Sequence, residues 1–184
     1  MGIALIIIVL VVVGAILIYN NLVSLQNRVQ NGWKQIDVQL KRRHDLIPNL
    51  VEAVKGAMEF ERDTLERVMA ARARAVSAAG VRETVAAENE LSQTLGRLLA
   101  VMENYPNLKS NENVLKLQEE LTTTENQLAF ARQFYNDMVM QLNTREQVFP
   151  PSVIANFFGF KPAEYFTAAD EDRGTPRVDL ALQK

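Results

Sequence analysis

The chain has 184 residues, ample for one domain with a real core and short for two. Its 20 basic and 22 acidic side chains leave no strongly cationic field to hold nucleic acid by counterion release. Cysteine is absent, which excludes disulfides, a thiol nucleophile and sulfur-ligated metal, but fits either side of a bacterial membrane.

Ile3 to Tyr19 reads IALIIIVLVVVGAILIY, without a charge. At ~1.5 Å rise per residue this run covers ~25 Å, enough with Met1 and Gly2 to cross a hydrocarbon core. A cleaved signal peptide would want a basic start and a small-x-small site, and neither the two preceding residues nor YNNLVSLQN supplies one. A buried core helix should not be β-branched on every face. The reading is a permanent anchor over residues 1–21, with Tyr19 as an interfacial aromatic. Arg28, Lys34, Lys41, Arg42 and Arg43 all follow the span, so the positive-inside rule places the N-terminus outside and the body in the cytoplasm, at a bacterial inner membrane. A periplasmic body is the alternative.

The body over residues 22–149 keeps a helical period. Leu22, Leu25, Val29, Trp33, Ile36, Leu40, Ile47, Val51, Val54 and Met58 step by threes and fours, and the skipped step falls on His44. A second helical segment, Arg62 to Tyr105, carries Leu65, Val68, Arg72 and Val76, then Val85, Leu91, Leu95, Leu98 and Met102. Ser77-Ala-Ala-Gly80 reads as a bend or short loop within it, because Gly80 costs ~1 kcal/mol in a helix interior. Pro106 ends it. In the third segment Val114, Leu117, Leu121, Thr124, Leu128, Ala131, Tyr135, Met138 and Leu142 hold heptad phase, as in a coiled-coil seam, with Asn111 placed to cap the start. The fold class is therefore all-α: a single transmembrane helix continuing into an elongated antiparallel bundle of three long helices. The seam can be satisfied within one chain or between chains, and Thr124 on it needs a backbone acceptor.

QLKRRHDLIPNLVEAVKG, residues 39 to 56, holds the only histidine, a basic triplet and a proline. Pro48 lacks an N–H and crowds the His44 carbonyl, yet the apolar phase is the same on both sides of it. A kinked continuous helix fits that phase; a new helix capped by Asp45 is the alternative. His44 as a metal ligand lacks a second histidine or cysteine, and as a base lacks a nucleophile and oxyanion donors. The favoured reading is a partly buried histidine bonded to a carbonyl freed by Pro48. Lys41, Arg42 and Arg43 read as a solvated face or as ion pairs with Asp37 and Asp45. Arg72 reads as a stem packed on the apolar face with its head in water, or as an inter-helix pair with a carboxylate. Phosphate-loop, dinucleotide and zinc-protease motifs are absent. No residue is assigned to catalysis, to a cofactor or to a metal.

Residues 150–184 read as an aromatic cap and a loosely held tail. Phe149-Pro150-Pro151 stops the third helix, Ser152 to Phe158 makes a short helix, and Gly159 closes it as a left-handed cap. Phe149, Phe157, Phe158, Phe160, Tyr165 and Phe166 read first as a lid on the bundle end. Contact with a neighbouring subunit or with the membrane interface are the alternatives. Val178 and Leu180 are placed for a small strand-like contact.

These residues resemble the LemA family. The run WKQIDVQLKRRHDLIPNLVEAVKG (Trp33 to Gly56), NYPNLK (Asn104 to Lys109), LQEELTTTEN (Leu117 to Asn126), ARQFYN (Ala131 to Asn136), Phe149-Pro150, Gly159-Phe160 and Tyr165-Phe166 carry the likeness, in order, from about Asn31 to Phe166. Ala57 and Phe60 depart from the family, which often has an aromatic and a histidine there; Val114 and Leu142 replace frequent aromatics. The resemblance implies a single N-terminal span, a short exterior N-terminus and a long helical body, usually cytoplasmic. It implies no activity and no catalytic residues.

The resulting expectation is a non-enzymatic, membrane-anchored helical scaffold that assembles laterally to organise the membrane or a partner complex. Its partners are the bilayer, through the N-terminal helix, and further copies of itself. The second reading is an adaptor for another membrane protein, such as a protease or transporter, and the third an enzyme of unrecognised type. No nucleic acid, cofactor or small-molecule substrate is expected.

Overall fold

The computed structural model describes residues 1–167. The apolar span and the amphipathic stripe behind it form one uninterrupted helix, α1 (Gly2–Lys55), about 80 Å long at 1.5 Å per residue. Pro48 lies inside it, so the continuous reading holds and Asp45 caps nothing. Residues 2–13 are exposed throughout, and the first fully buried side chain is Leu22. The N-terminal part of α1 is long and apolar enough to cross a bilayer.

The three expected long helices are four. Gly56 to Met58 and a single 3-10 turn (Glu59–Glu61) reverse the chain into α2 (Arg62–Ser77). The expected bend at Gly80 is a second full reversal. Ala78 and Ala79 are extended, Gly80 takes φ +77°, and α3 (Gly80–Met102) folds back on α2. A residue without a Cβ reaches positive φ freely, which turns a bend into a hairpin. Arg74 Nε donates to Glu90 across it at 3.0 Å. Val76, expected on the apolar face, is exposed, and Ala75 is buried in its place.

After a one-turn helix, α4 (Pro106–Lys109), Asn111 caps α5 (Glu112–Gln147) by accepting from the Asn113 and Val114 amides. The seam of α5 is covered within the chain, because α5 lies antiparallel along α1. Arg145 donates to Asn21 at one end, and Arg42 faces Glu120 at 3.8 Å towards the other. Between them Gly32 lets the helices approach: a Cβ there would stand 3.2 Å from Tyr135 Cα. Thr124 on the seam donates back to the Glu120 carbonyl at 2.8 Å. A last short helix, α6 (Pro151–Phe158), ends on Gly159 at φ +72°.

Two apolar cores result. The one nearer the span contains Leu22, Ile36, Val85, Leu128, Val139 and Ala155. The far one contains Ile47, Val54, Val68, Leu91, Leu98 and Val114.

The aromatic lid is a different structure from the one expected. Only Phe166 is buried; Phe149, Phe157, Phe158 and Tyr165 are exposed, and α6 instead buries Pro151 and Ala155. The reason lies in what holds residues 160–167. Asn143 pairs twice with the backbone of Ala163, and Asn136 twice with that of Phe166, so the chain is strapped along α5 by amides rather than by apolar packing. Tyr135 Oη donates to the Glu164 carbonyl at 2.7 Å. Phe166 then sits beside Trp33 with the Arg132 guanidinium 4.8 Å from its ring centre. The contact expected of Val178 and Leu180 lies outside the described residues.

Candidate functional site

The two cores meet at a polar layer to which every long helix contributes. On α1 it follows Leu40 and precedes Leu46; on α3 it lies between Val85 and Leu91; on α5, between Leu121 and Leu128. At its centre the Glu88 side chain has no solvent exposure. One carboxylate oxygen takes His44 Nε2 at 2.6 Å and the other takes Arg43 Nη1 at 3.1 Å. A buried carboxylate accepts both bonds, so Nε2 carries the imidazole proton. Arg43, 4% exposed, also faces Glu125 at 3.3 Å and donates to Ser92 Oγ at 2.9 Å. Arg132 approaches Glu125 at 3.8 Å; burial lowers its pKa, with Glu125 acting in the opposite direction.

Arg72 completes the layer from α2. Its Nε donates 2.8 Å to the backbone carbonyl of His44, the acceptor whose helical donor is missing at Pro48. Three readings of the sequence are corrected here. The freed carbonyl belongs to His44 and is met by Arg72, not by a histidine ring. Arg72 is half-buried and spends its Nε on that carbonyl, so it is neither a purely snorkelling stem nor one half of an inter-helix pair with a carboxylate. Arg43 is not on a solvated face with Lys41 and Arg42, because a helix turns ~100° per residue and Arg43 alone of the three points inward.

Beside the layer, α3 and α5 leave a cleft of about 620 Å³. Leu95, Leu99 and Leu121 line its walls, Leu108 closes one end, and Arg43, Ser92 and Glu125 reach it at the other. Apolar walls with a few convergent polar groups are the usual make-up of a ligand pocket. The chemistry in it is nonetheless that of a held cation: Ser92 accepts from Arg43, which fixes a guanidinium and does not activate a hydroxyl. Among the described residues no group of three or more His, Asp or Glu is placed to hold a metal ion.

Sequence reasoning misses Glu88 although the signal for it is present. Its helix skips an apolar step between Val85 and Leu91, as α1 skips one between Leu40 and Ile47. Each gap is filled by an ionisable residue, and the two residues bond to each other. The strapping asparagines, one heptad apart on α5, carry no such signal, because asparagine beside a seam is ordinary.

The sequence pattern of the LemA family matches residues 32–180. The chain belongs to the LemA family. It is 25% identical to Magnetosome protein MamQ 2 of Paramagnetospirillum magneticum over 189 aligned positions, which cover 87% of this chain and 70% of that one. It is 24% identical to Protein LemA of Metamycoplasma hominis, over 84% of this chain and 71% of that one. With Magnetosome protein MamQ of Magnetospirillum gryphiswaldense it shares 23% identity over 87% and 70%. The family and the bare apolar end of α1 define a membrane-associated helical protein.

Proposed function

We propose that the chain is a non-enzymatic scaffold, anchored once in a bacterial inner membrane with its body in the cytoplasm, that assembles laterally. The observation that carries this is α1 itself: the apolar segment and the spine of the body are one helix with no linker between them. A stalk of that kind holds each body at a fixed height and limits its rotation, which raises the effective concentration of side faces for one another. Such a face lies along α1 and α5, where Val38, Phe130 and Phe134 are exposed around a groove of about 530 Å³. The side-chain amide oxygen of Gln39, a residue lining this groove, is buried without a partner.

The chain has no cysteine, so single cysteines report contacts cleanly. Phe130→Cys in native membranes is expected to form disulfide-linked dimers, and Arg67→Cys on α2 is not. A protein that stays monomeric at every concentration in detergent, with no crosslinks in membranes, rules out lateral assembly. The open cleft between α3 and α5 favours the adaptor as second reading, since it offers a partner apolar walls. One dominant foreign protein captured from membranes, lost on filling the cleft with Gly96→Trp, supports the adaptor.

A further inference from the structure

Apart from Phe60 in the turn at the far end, the two most exposed large apolar side chains of the body lie where the body meets the span, in one cluster with two more. Phe149 is 82% exposed and Phe157 81%, with Val153 and Phe158 more than half exposed. Val153 and Phe157, four residues apart, share one side of α6. The opposite side is fixed to the bundle through Pro151 and Ala155.

The height of this face along α1 is set by direct contacts. Tyr19, the last residue of the apolar run, has its ring 4.7 Å from that of Phe158 and 5.9 Å from that of Phe160. Ile18, in the last turn of the span, packs on the core that contains Ala155. Arg145 meets Asn21, so α5 reaches the level of the span end at its last turn and stops there. Lys161 lies exposed just past α6.

We infer that α6 and the Phe149 turn are seated in the headgroup–acyl boundary of the bilayer, a second membrane contact beside the span. An amphipathic helix in that zone buries its apolar face ~5–10 Å deep, and aromatic residues prefer it. Arg145 and Lys161 stand where anionic headgroups would lie. The seat explains why four large apolar side chains are left outside the cores, and it fixes the tilt of the body by a second point of attachment. It rests on the reading of α1 as the anchor.

The test uses the full chain in phosphatidylcholine vesicles with brominated acyl chains, which quench tryptophan on contact. The native Trp33 lies fourteen residues beyond Tyr19, ~21 Å along the helix, and its emission is expected to be unchanged by bromine. In a Trp33→Phe background, Phe157→Trp and, separately, Phe149→Trp are expected to lose emission, more with bromine high on the chain than at its end. Both positions are exposed, so the substitutions leave the cores intact. Leu10→Trp, in the same background, reports on the span. If Leu10→Trp is quenched while both α6 reporters are not, the seat is wrong and the anchor stands. Emission from the α6 reporters that ignores bromine but changes with protein-to-lipid ratio also overturns the seat, in favour of a second copy on this face. If Leu10→Trp escapes quenching, the anchor itself fails and the seat with it.

Discussion

Arg72 donates through Nε to the carbonyl of His44, the one acceptor on α1 that Pro48 deprives of its helical donor. The arginine on α2 thus repairs a defect that the proline makes on α1, and the two are coupled through that carbonyl. Arg72→Met is expected to cost ~1.5–3 kcal/mol, the range for a hydrogen bond from a charged donor. In a Pro48→Ala background the amide of residue 48 supplies the carbonyl, and the same substitution costs distinctly less. A double-mutant cycle by chemical denaturation of the full chain in micelles measures the coupling. Strict additivity would show that the two residues act independently.

Glu88 holds two partners and has no solvent exposure. Glu88→Ala leaves buried Arg43 with the partly exposed Glu125 as its one remaining counter-charge, and ~3–5 kcal/mol of destabilisation is expected from breaking a buried pair on one side. Replacing the set together, with Arg43→Met, His44→Leu and Glu88→Leu, is expected to be near neutral or stabilising by ~1–4 kcal/mol. What the triple variant loses is specification. Its α3 amides exchange faster than those of the native chain, because an apolar layer no longer dictates how α3 seats against α1. Equal destabilisation by the single and triple changes would mean that packing, not charge, dominates the layer.

Periodicity makes the long helices legible, and the apolar stripes of α1 and α5 predict their buried faces almost residue by residue. Heptad phase over Val114 to Leu142 holds whether the partner helix is α1 or another chain, so the fold alone identifies α1. The hairpin at Gly80 reads as a bend in the sequence because glycine's penalty inside a helix is local, while the reversal is decided by φ +77° and by which faces then meet. The ionic layer is half visible: His44 and Arg72 stand out as polar residues on apolar stripes, but pairing them with Glu88 and a backbone carbonyl requires distances between helices. The tail escapes sequence reasoning because aromatic residues suggest burial, whereas the strap is held by side-chain amides of Asn136 and Asn143.

Those two amides make a local prediction. Each asparagine acts as a short piece of sheet edge, accepting from one backbone N–H and donating to the same residue's carbonyl. Removing both bonds with Asn136→Ala should free residues 165–167 at ~0.5–1.5 kcal/mol per bond. Asn143→Ala should do the same around Ala163. Hydrogen exchange is expected to accelerate at Ala163 and Phe166 while the middle of α5 stays protected. Asn136→Asp keeps the acceptor and loses the donor, and falls between. Unchanged exchange in the alanine variants would mean that Phe166 against Trp33 and Arg132 suffices to hold the strap.

Glu146, one residue before the end of α5, has a side chain that is buried with neither oxygen partnered, and burial raises its carboxyl pKa above the usual 4.5. With the folded pKa above the unfolded one, the folded state binds the proton more tightly, so this group favours folding most below its unfolded pKa. That contribution is lost as pH rises through the folded pKa, where folding must bear a desolvated negative charge. Glu146→Gln removes the charge at every pH and keeps the shape. The variant is therefore expected to be the more stable at neutral pH, and its advantage to shrink as pH falls through the raised carboxyl pKa of the native chain. Denaturation midpoints of both chains in micelles, from neutral pH down to below 4.5, show this as two curves that converge on acidification. Parallel curves would show that Glu146 finds a partner when folded, a cation at the mouth of the span being the obvious one, and that its burial costs nothing.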